Sequence, residues 1–371
     1  MGTPGPLRVD MTVEQLWQPV PGGSGTYIRE LLAEYARMPD VSATGISAWH
    51  DAAAVAEAAP GVALRRLPLP RPALYAAWER ARRPRAGRSA DVVHATTWAV
   101  PGSRVPLVVT VHDLAFLHDP DHFTARGVRF FRRALEITRA EAAAVIVPSQ
   151  ATRADCIAAG IVEDRLHVVP HGVRPPATTP ADAVTFAERH GLRRPYVLWA
   201  GTREPRKNLP TLVSAFARVL AEGADLDLVL VGPQGWGPEQ AALSGPDAER
   251  VHLLGHLPTA ELAAAYAGAL AFCYPSLREG YGLPVTEAMS HGTPVVTSRG
   301  TSTEEVAGGA AVLVDPRDDA DVARGLREAI EPAANARLRQ LSSARAAELD
   351  WSVTARATTT VLRRAAGVAE R

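Results

Sequence analysis

The chain has 371 residues, 47% of them hydrophobic, and its 40 basic side chains balance 40 acidic ones. That length and apolar share predict two domains, each with its own core. A formal net charge of zero argues against wholesale nucleic-acid binding. No apolar run approaches the roughly 18 residues that a membrane span needs. The opening stretch, MGTPGPLRVDMTVEQLW, lacks the basic-then-apolar pattern of a signal peptide, so a cytoplasmic protein is expected. Cys156 and Cys273 lie far apart in apolar surroundings and read as buried free thiols.

Short β-rich apolar runs alternate with helical patterns, which predicts parallel sheets with crossover helices. In the first half LRVDMTVEQ, VSATGISA, VALRRLPL, DVVHATT, PLVVTVHD, AAVIVPS and LHVVPHGV read as strands. WQPVPGGSGTYIRELL sets Gly22, Gly23 and Gly25 before a helix. Ile28 stands where a dinucleotide fingerprint needs a third glycine, so the stretch is read as a tight loop with accessible amides. VVTVHDLAF puts His112 and Asp113 at the end of a buried strand, either as cleft chemistry or as a core histidine beside a capping aspartate. His94 is similar but weaker, and His171 in PHGV reads as structural. Residues 174–184, RPPATTPADAV, lack periodicity and read as a linker. YVLWAGT, LDLVLVG, VHLLGHL, AFCYPS, PVVTS and AAVLVDP then start a second series. The expected domains are 1–176 and 177–350, with a final helix, about 351–371, packing back on the first. Two doubly wound sheets bind ligands at the carboxyl edges of their strands, here predicted to face each other across a cleft.

GTREPRKN contains Lys207, the single lysine of the chain. In an arginine-biased composition a single lysine is either a chance survivor in a solvated basic turn or marks a position where a guanidinium does not suffice. The strand–loop–helix reading of YVLWAGTREPRKNLPTLVSAF makes Asn208 an N-cap, with Pro210 in the first turn. Arg203, Arg206 and Lys207 then precede a helix N-terminus, which favours an anion by about 0.3–1 kcal/mol. A diphosphate needs direct cations as well, and an ammonium meets phosphate oxygens as a flexible point charge.

In SLREGYGLPVTEAMSHGTPVV, seven residues separate Glu279 from Glu287. Gly280, Tyr281 and Gly282 form a loop at a strand end, where amides approach a ligand closely. Glu287 falls on the second turn of the helix that follows. Two acceptor-only carboxylates beside such a loop suit a polyhydroxylated ligand.

EGYGLPVTEAM resembles the signature of retaining nucleotide-sugar glycosyltransferases of the GT-B fold, most closely family 4 and its mannosyltransferase-like members. VPSQAT, VVPHGV, AGTREPRKNLPTLVSAF, VHLLGHLPTAELAAAYAGA and GTPVVTS resemble its other landmarks, in order. The resemblance implies transfer of a sugar from GDP-mannose or a UDP-sugar to an acceptor hydroxyl with retention of configuration. It implies that Glu287 binds ribose and that Glu279 faces the donor sugar near its 3-hydroxyl, beside the amides of Gly280 to Gly282 and Leu283. Arg206 and Lys207 would hold the diphosphate, and Gly255, His256 and Leu257 would flank the base. The loop at Gly23 and Gly25 would reach a donor phosphate. His112 would contact the donor sugar, with Asp113 orienting it or handling the acceptor proton. Relatives usually carry arginine where this chain has Thr202, so Arg203 or Arg206 would supply that cation.

Asp225-Leu-Asp227 and Asp119-Pro-Asp121 both read D-x-D, the pattern of metal-dependent transferases. Neither accompanies the fold associated with that chemistry, so no metal and no other cofactor is expected. A nucleotide-sugar 2-epimerase and a non-catalytic nucleotide-sugar binding protein are the alternatives. The acceptor, whether a glycan, a lipid-linked sugar or a small molecule, is not legible. Arg-rich WERARRPRAGR and RGVRFFRRALEITR read as solvated faces, or as peripheral contacts to anionic lipid at the inner membrane face.

Overall fold

The computed structural model describes residues 5–175, 177–235 and 248–368. The chain divides into two compact units. The first runs to Gly172 and is re-entered at Trp351; the second spans Val173–Asp350.

In the first unit the strands are β1 (Leu7–Thr12), β2 (Val41–Ser47), β3 (Leu64–Arg66), β4 (Val92–Ala95), β5 (Leu107–Thr110), β6 (Ala144–Val147) and β7 (Leu166–Val168). They form one parallel sheet in the order β3-β2-β1-β4-β5-β6-β7. Helices on both faces explain why β4, β5 and β6 are buried at every position. The helix Trp351–Ala366 belongs to this unit, with Trp351, Ala355 and Leu362 buried. Arg363 fastens it by donating to the Asp40 carboxylate at 2.7 Å.

The second unit holds β8 (Tyr196–Ala200), β9 (Asp227–Val231), β10 (Val251–Gly255), β11 (Ala271–Tyr274), β12 (Val295–Ser298) and β13 (Ala311–Val314). This sheet is also parallel, ordered β10-β9-β8-β11-β12-β13. Strand order reverses between β1 and β4 in one unit and between β8 and β11 in the other. A crevice opens at such a point because the flanking crossovers leave to opposite faces, and ligands bind there. The core of the second unit includes Trp199, Phe216, Phe272 and Met289, and it fixes the loops that follow β8 and β11.

Two expectations need correction. The linker reading of residues 174–184 runs into a helix, Pro180–Arg189. Thr179 and Asp182 form a capping box at its start and Pro180 occupies the first turn, so local capping chemistry outweighs the absence of periodicity. Gly22, Gly23 and Gly25 are not a loop but the first turn of the helix Gly22–Tyr35. The Gly25 amide already donates to Pro21 O at 3.1 Å. A Cβ at Gly25 would lie 2.4 Å from the Pro21 Cβ, so this glycine is there for packing.

Candidate functional site

The loops after β8 and β11 meet at the switch point of the second unit. Pro205–Lys207 forms one 3₁₀ turn, and the Leu277 amide donates to Arg206 O at 2.8 Å, tying the two loops together. Asn208 follows with φ 59°, a left-handed conformation that asparagine tolerates. Its side chain makes no hydrogen bond to the helix amides, contrary to the capping role expected of it. Asn208 Nδ2 instead donates to Pro275 O and Pro316 O, at 3.1 and 2.5 Å. The residue anchors the loop across the sheet edge.

That anchoring turns Lys207 inward. Its side chain is 8% exposed. Nζ donates to Glu279 Oε1 at 2.6 Å and to the Tyr274 hydroxyl, and lies 4.9 Å from the centre of the Tyr274 ring. Glu279 Oε1 also accepts from Ser276 Oγ at 2.7 Å and from Tyr274 OH at 3.0 Å. Arg206 Nη1 donates to Glu279 Oε2 at 2.8 Å, and its Nε donates to Glu204 at 2.9 Å. Burial alone would push the Glu279 carboxyl up. Arg206, Lys207 and the Ser276 hydroxyl overcome this and hold it down at about 2. Burial and the neighbouring Arg206 lower Lys207, against the opposing pull of Glu279. An ammonium has three N–H donors and each carboxylate oxygen two lone pairs; three donors crowd Glu279 Oε1, whereas Oε2 takes one. One N–H of Lys207 and one lone pair of Glu279 Oε2 therefore remain for a ligand among the described residues.

Glu287 lies on the helix Leu283–Ser290 and accepts from Tyr266 OH at 3.0 Å. Burial raises its carboxyl above the ordinary range. Gly282 caps this helix with φ 110°, and a Cβ there would lie 2.8 Å from Thr303 Cγ2. Gly280 and Tyr281 are buried beside it, and Leu283 is half-buried. Gly255 and His256 are exposed at the end of β10, and Leu257 is buried. Thr202 and Arg203 are half-buried after β8. The loop after β9 packs against them, where a Cβ on Gly235 would lie 2.0 Å from Arg203 O. Arg203 makes no ion pair among the described residues.

In the first unit His112 Nε2 lies 3.0 Å from Thr96 O, and burial lowers its pKa. Asp113 accepts from the Ala115 amide at 3.0 Å and so shapes the following turn. His94 lies 2.8 Å from Thr110 Oγ1, and burial brings it to about 3. Tyr27 lies between these histidines, with its ring centre 5.1 Å from that of His112 and 4.8 Å from that of His171. His171 also stacks on Trp351 at 5.8 Å.

Sequence reasoning singled out Lys207, Arg206 and Glu279, which the structure joins in one cluster, but missed Tyr274, Ser276, Tyr266 and Tyr27. The signal for Tyr274 and Ser276 was present, because both are hydroxyl residues at the carboxyl end of a buried strand. Asp225 and Asp227 are committed elsewhere: Arg250 lies 2.8 Å from Asp225 and His252 lies 3.4 Å from Asp227. Among the described residues no group of three or more His, Cys, Asp and Glu is placed to hold a metal ion. Cys156 and Cys273 are buried free thiols. No helix among the described residues is long and apolar enough to cross a membrane.

Residues 21–175 match the family described as Glycosyltransferase Family 4, and residues 194–331 match Glycosyl transferases group 1. The O-antigen chain mannosyltransferase B of Escherichia coli is 31% identical over 61% of this chain and 62% of its own length. The MMP alpha-(1->4)-mannosyltransferase of Mycolicibacterium hassiacum is 34% identical over 57% and 54%. The chain thus spans between half and two thirds of these two relatives. A D-inositol 3-phosphate glycosyltransferase of Acidothermus cellulolyticus is 30% identical over 90% of this chain and 83% of its own. Among solved structures, HepE of Anabaena in complex with UDP-glucose superposes with a TM-score of 0.75 at 21% identity, covering 95% of this chain and 99% of that one. Motif, sheet order and kinship agree: the chain belongs to glycosyltransferase family 4 and has the GT-B fold of two Rossmann-like domains.

Proposed function

We propose that the protein transfers a sugar from a nucleotide-diphosphate donor to an acceptor hydroxyl, with retention of anomeric configuration and without a metal ion. The observation that carries this reading is the buried Lys207–Glu279–Arg206 cluster at the β8/β11 switch point, with Glu287 on the next helix. Cleaving a sugar–diphosphate bond develops positive charge at the anomeric carbon and negative charge on the leaving group. The remaining N–H of Lys207, with Arg206, meets the leaving diphosphate, and this interaction grows as the charge develops. The remaining lone pair of Glu279 accepts from a donor-sugar hydroxyl, beside the amides of Gly280 to Gly282. Glu287 accepts from the ribose hydroxyls, and the backbone of Gly255 to Leu257 flanks the base.

The named mannosyltransferases support mannose as the sugar, for which we propose GDP-mannose as the donor, and the UDP-glucose complex of HepE supports a UDP-sugar as the other candidate. A thermal-shift screen against UDP-, GDP-, ADP- and dTDP-sugars distinguishes them, with one base expected to stabilise the protein well beyond the rest. Equal or absent shifts overturn the reading. The relatives are transferases, which supports transfer over 2-epimerisation; donor incubated alone is expected to give no epimer. Turnover is expected to survive EDTA, and its loss with recovery on adding manganese or magnesium contradicts the metal-free reading.

A further inference from the structure

The carboxyl edge of the first sheet carries a second group of side chains, away from His112. Trp49 follows β2 and is 62% exposed. An indole so open to water forgoes burial that would stabilise the fold, and nothing about this loop is slack. The Ala48 amide donates to the buried Glu14 carboxylate at 2.7 Å, and the Trp49 amide to Leu69 O at 3.1 Å. His50 O accepts from Arg66 Nη1 at 3.0 Å. Three successive residues are thus pinned through their backbones, and the indole projects from a rigid base.

Next in the chain, His50 stacks on Trp17 with ring centres 4.2 Å apart, and Glu14 holds the His50 ring at 3.0 Å. Arg71 Nη1 donates to Gln18 at 2.9 Å along the same rim. Flat aromatic faces bordered by amide, imidazole and guanidinium groups match a sugar ring, which has an apolar C–H face and a rim of hydroxyls. A lipid tail would need an apolar rim, and a nucleic acid would need a basic field that the exposed Asp51 interrupts.

We propose that Trp49, with Trp17 and His50, forms a saccharide-stacking platform for the acceptor, which is therefore an oligosaccharide rather than a lone small alcohol. The proposal rests on the transferase reading above. Trp49 and His112 follow β2 and β5, with β1 and β4 between those strands. Three inter-strand spacings amount to about 14 Å. That is longer than one sugar ring, so the platform holds a ring further along the glycan than the reacting hydroxyl.

The test uses the full chain, fluorescently labelled, on an array of immobilised bacterial and synthetic oligosaccharides, beside Trp49→Ala and Trp49→Phe. Wild type is expected to bind a subset of glycans of two or more rings. Trp49→Ala is expected to weaken that binding on the order of tenfold, and Trp49→Phe to retain most of it. Because the indole is exposed, melting temperature and nucleotide-sugar binding are expected to stay at wild-type values in both variants. Glycan binding that is absent, or unchanged in Trp49→Ala, overturns the platform. Failure of every nucleotide-sugar to shift the melt would instead overturn the transferase reading, so the two failures are distinguishable.

Discussion

Replacing Lys207 by methionine removes the ammonium while keeping a chain of similar length in its place. Breaking a fully buried pair costs about 3–5 kcal/mol when the remaining charge is orphaned. Glu279 is not orphaned here, because Arg206 stays at 2.8 Å and the Ser276 hydroxyl at 2.7 Å. The expected loss of stability is therefore smaller, about 1–3 kcal/mol, that of a buried hydrogen-bonded group losing one partner. Turnover should fall further. Losing one preorganised donor to a developing oxyanion costs about 2.7–4 kcal/mol, or about 10²–10³ in kcat. The variant carries a second signature. Lys207 helps hold the Glu279 carboxyl down at about 2, so its removal should shift the acid limb of kcat/KM to higher pH. The assay is nucleotide release across pH 3–9, with melting curves at each pH. Turnover within a few-fold of wild type, or an unmoved acid limb, refutes the reasoning. Lys207→Arg should also be impaired, since a planar fork must enter a pocket shaped around a buried ammonium.

Glu279 lies below its ordinary value of 4.5, at about 2, so it stabilises the fold above the unfolded-state pKa. That contribution is lost as pH falls from about 4 towards 2 and is on the order of 3 kcal/mol; Glu279→Gln should flatten this part of the stability–pH curve, as denaturant titrations would show. Tyr274→Phe removes an acceptor from Lys207 and a donor to Glu279, for a cost of about 1–3 kcal/mol in stability. Its alkaline limb of kcat should move to lower pH, because the ammonium loses an acceptor that favours its charged form. Glu287 is raised by burial, so its charge costs stability at neutral pH. Glu287→Gln should melt no lower than wild type yet bind nucleotide at least about tenfold more weakly, and a lower melting temperature with intact binding refutes that assignment. Arg203→Ala should reduce the salt dependence of donor association and leave kcat near wild type, as stopped-flow binding at two ionic strengths would test.

Much of the fold was legible because parallel strands buried on both faces read as unbroken apolar runs. YVLWA and DLVLV are both buried throughout. Strand order was not legible residue by residue, and the juxtaposition of Lys207 with Glu279, 72 positions apart, follows from β8 and β11 being neighbours. The first-turn glycines were misplaced because three glycines in four residues read as a loop, whereas Pro21 fixes the entry and Gly25 closes the first helical bond. Asn208 was misread for a related reason. Cap statistics assume that the side chain turns to its own helix, and here two carbonyls across the sheet edge compete for it and win. The position of Tyr274 and Ser276 at the carboxyl end of a buried strand was legible, but their hydrogen bonds to Lys207 and Glu279 exist through what the loops bring beside them.

The charges of the cluster cancel, since Arg206 and Lys207 face Glu204 and Glu279. Two bare cations held in place for an absent diphosphate would each lose much of their hydration with no compensation. Glu279 removes that difficulty, because it neutralises the cations in the free protein and orients them at the same time. Under the proposed function the same carboxylate also accepts from the donor sugar, through the lone pair that Arg206 leaves open on Oε2. A hydroxyl placed there draws electron density from the group that restrains both cations, and their interaction with the diphosphate strengthens. Sugar recognition and leaving-group stabilisation are then coupled through one side chain. That coupling requires the lysine to be buried against the glutamate rather than extended into solvent, which is where the structure puts it.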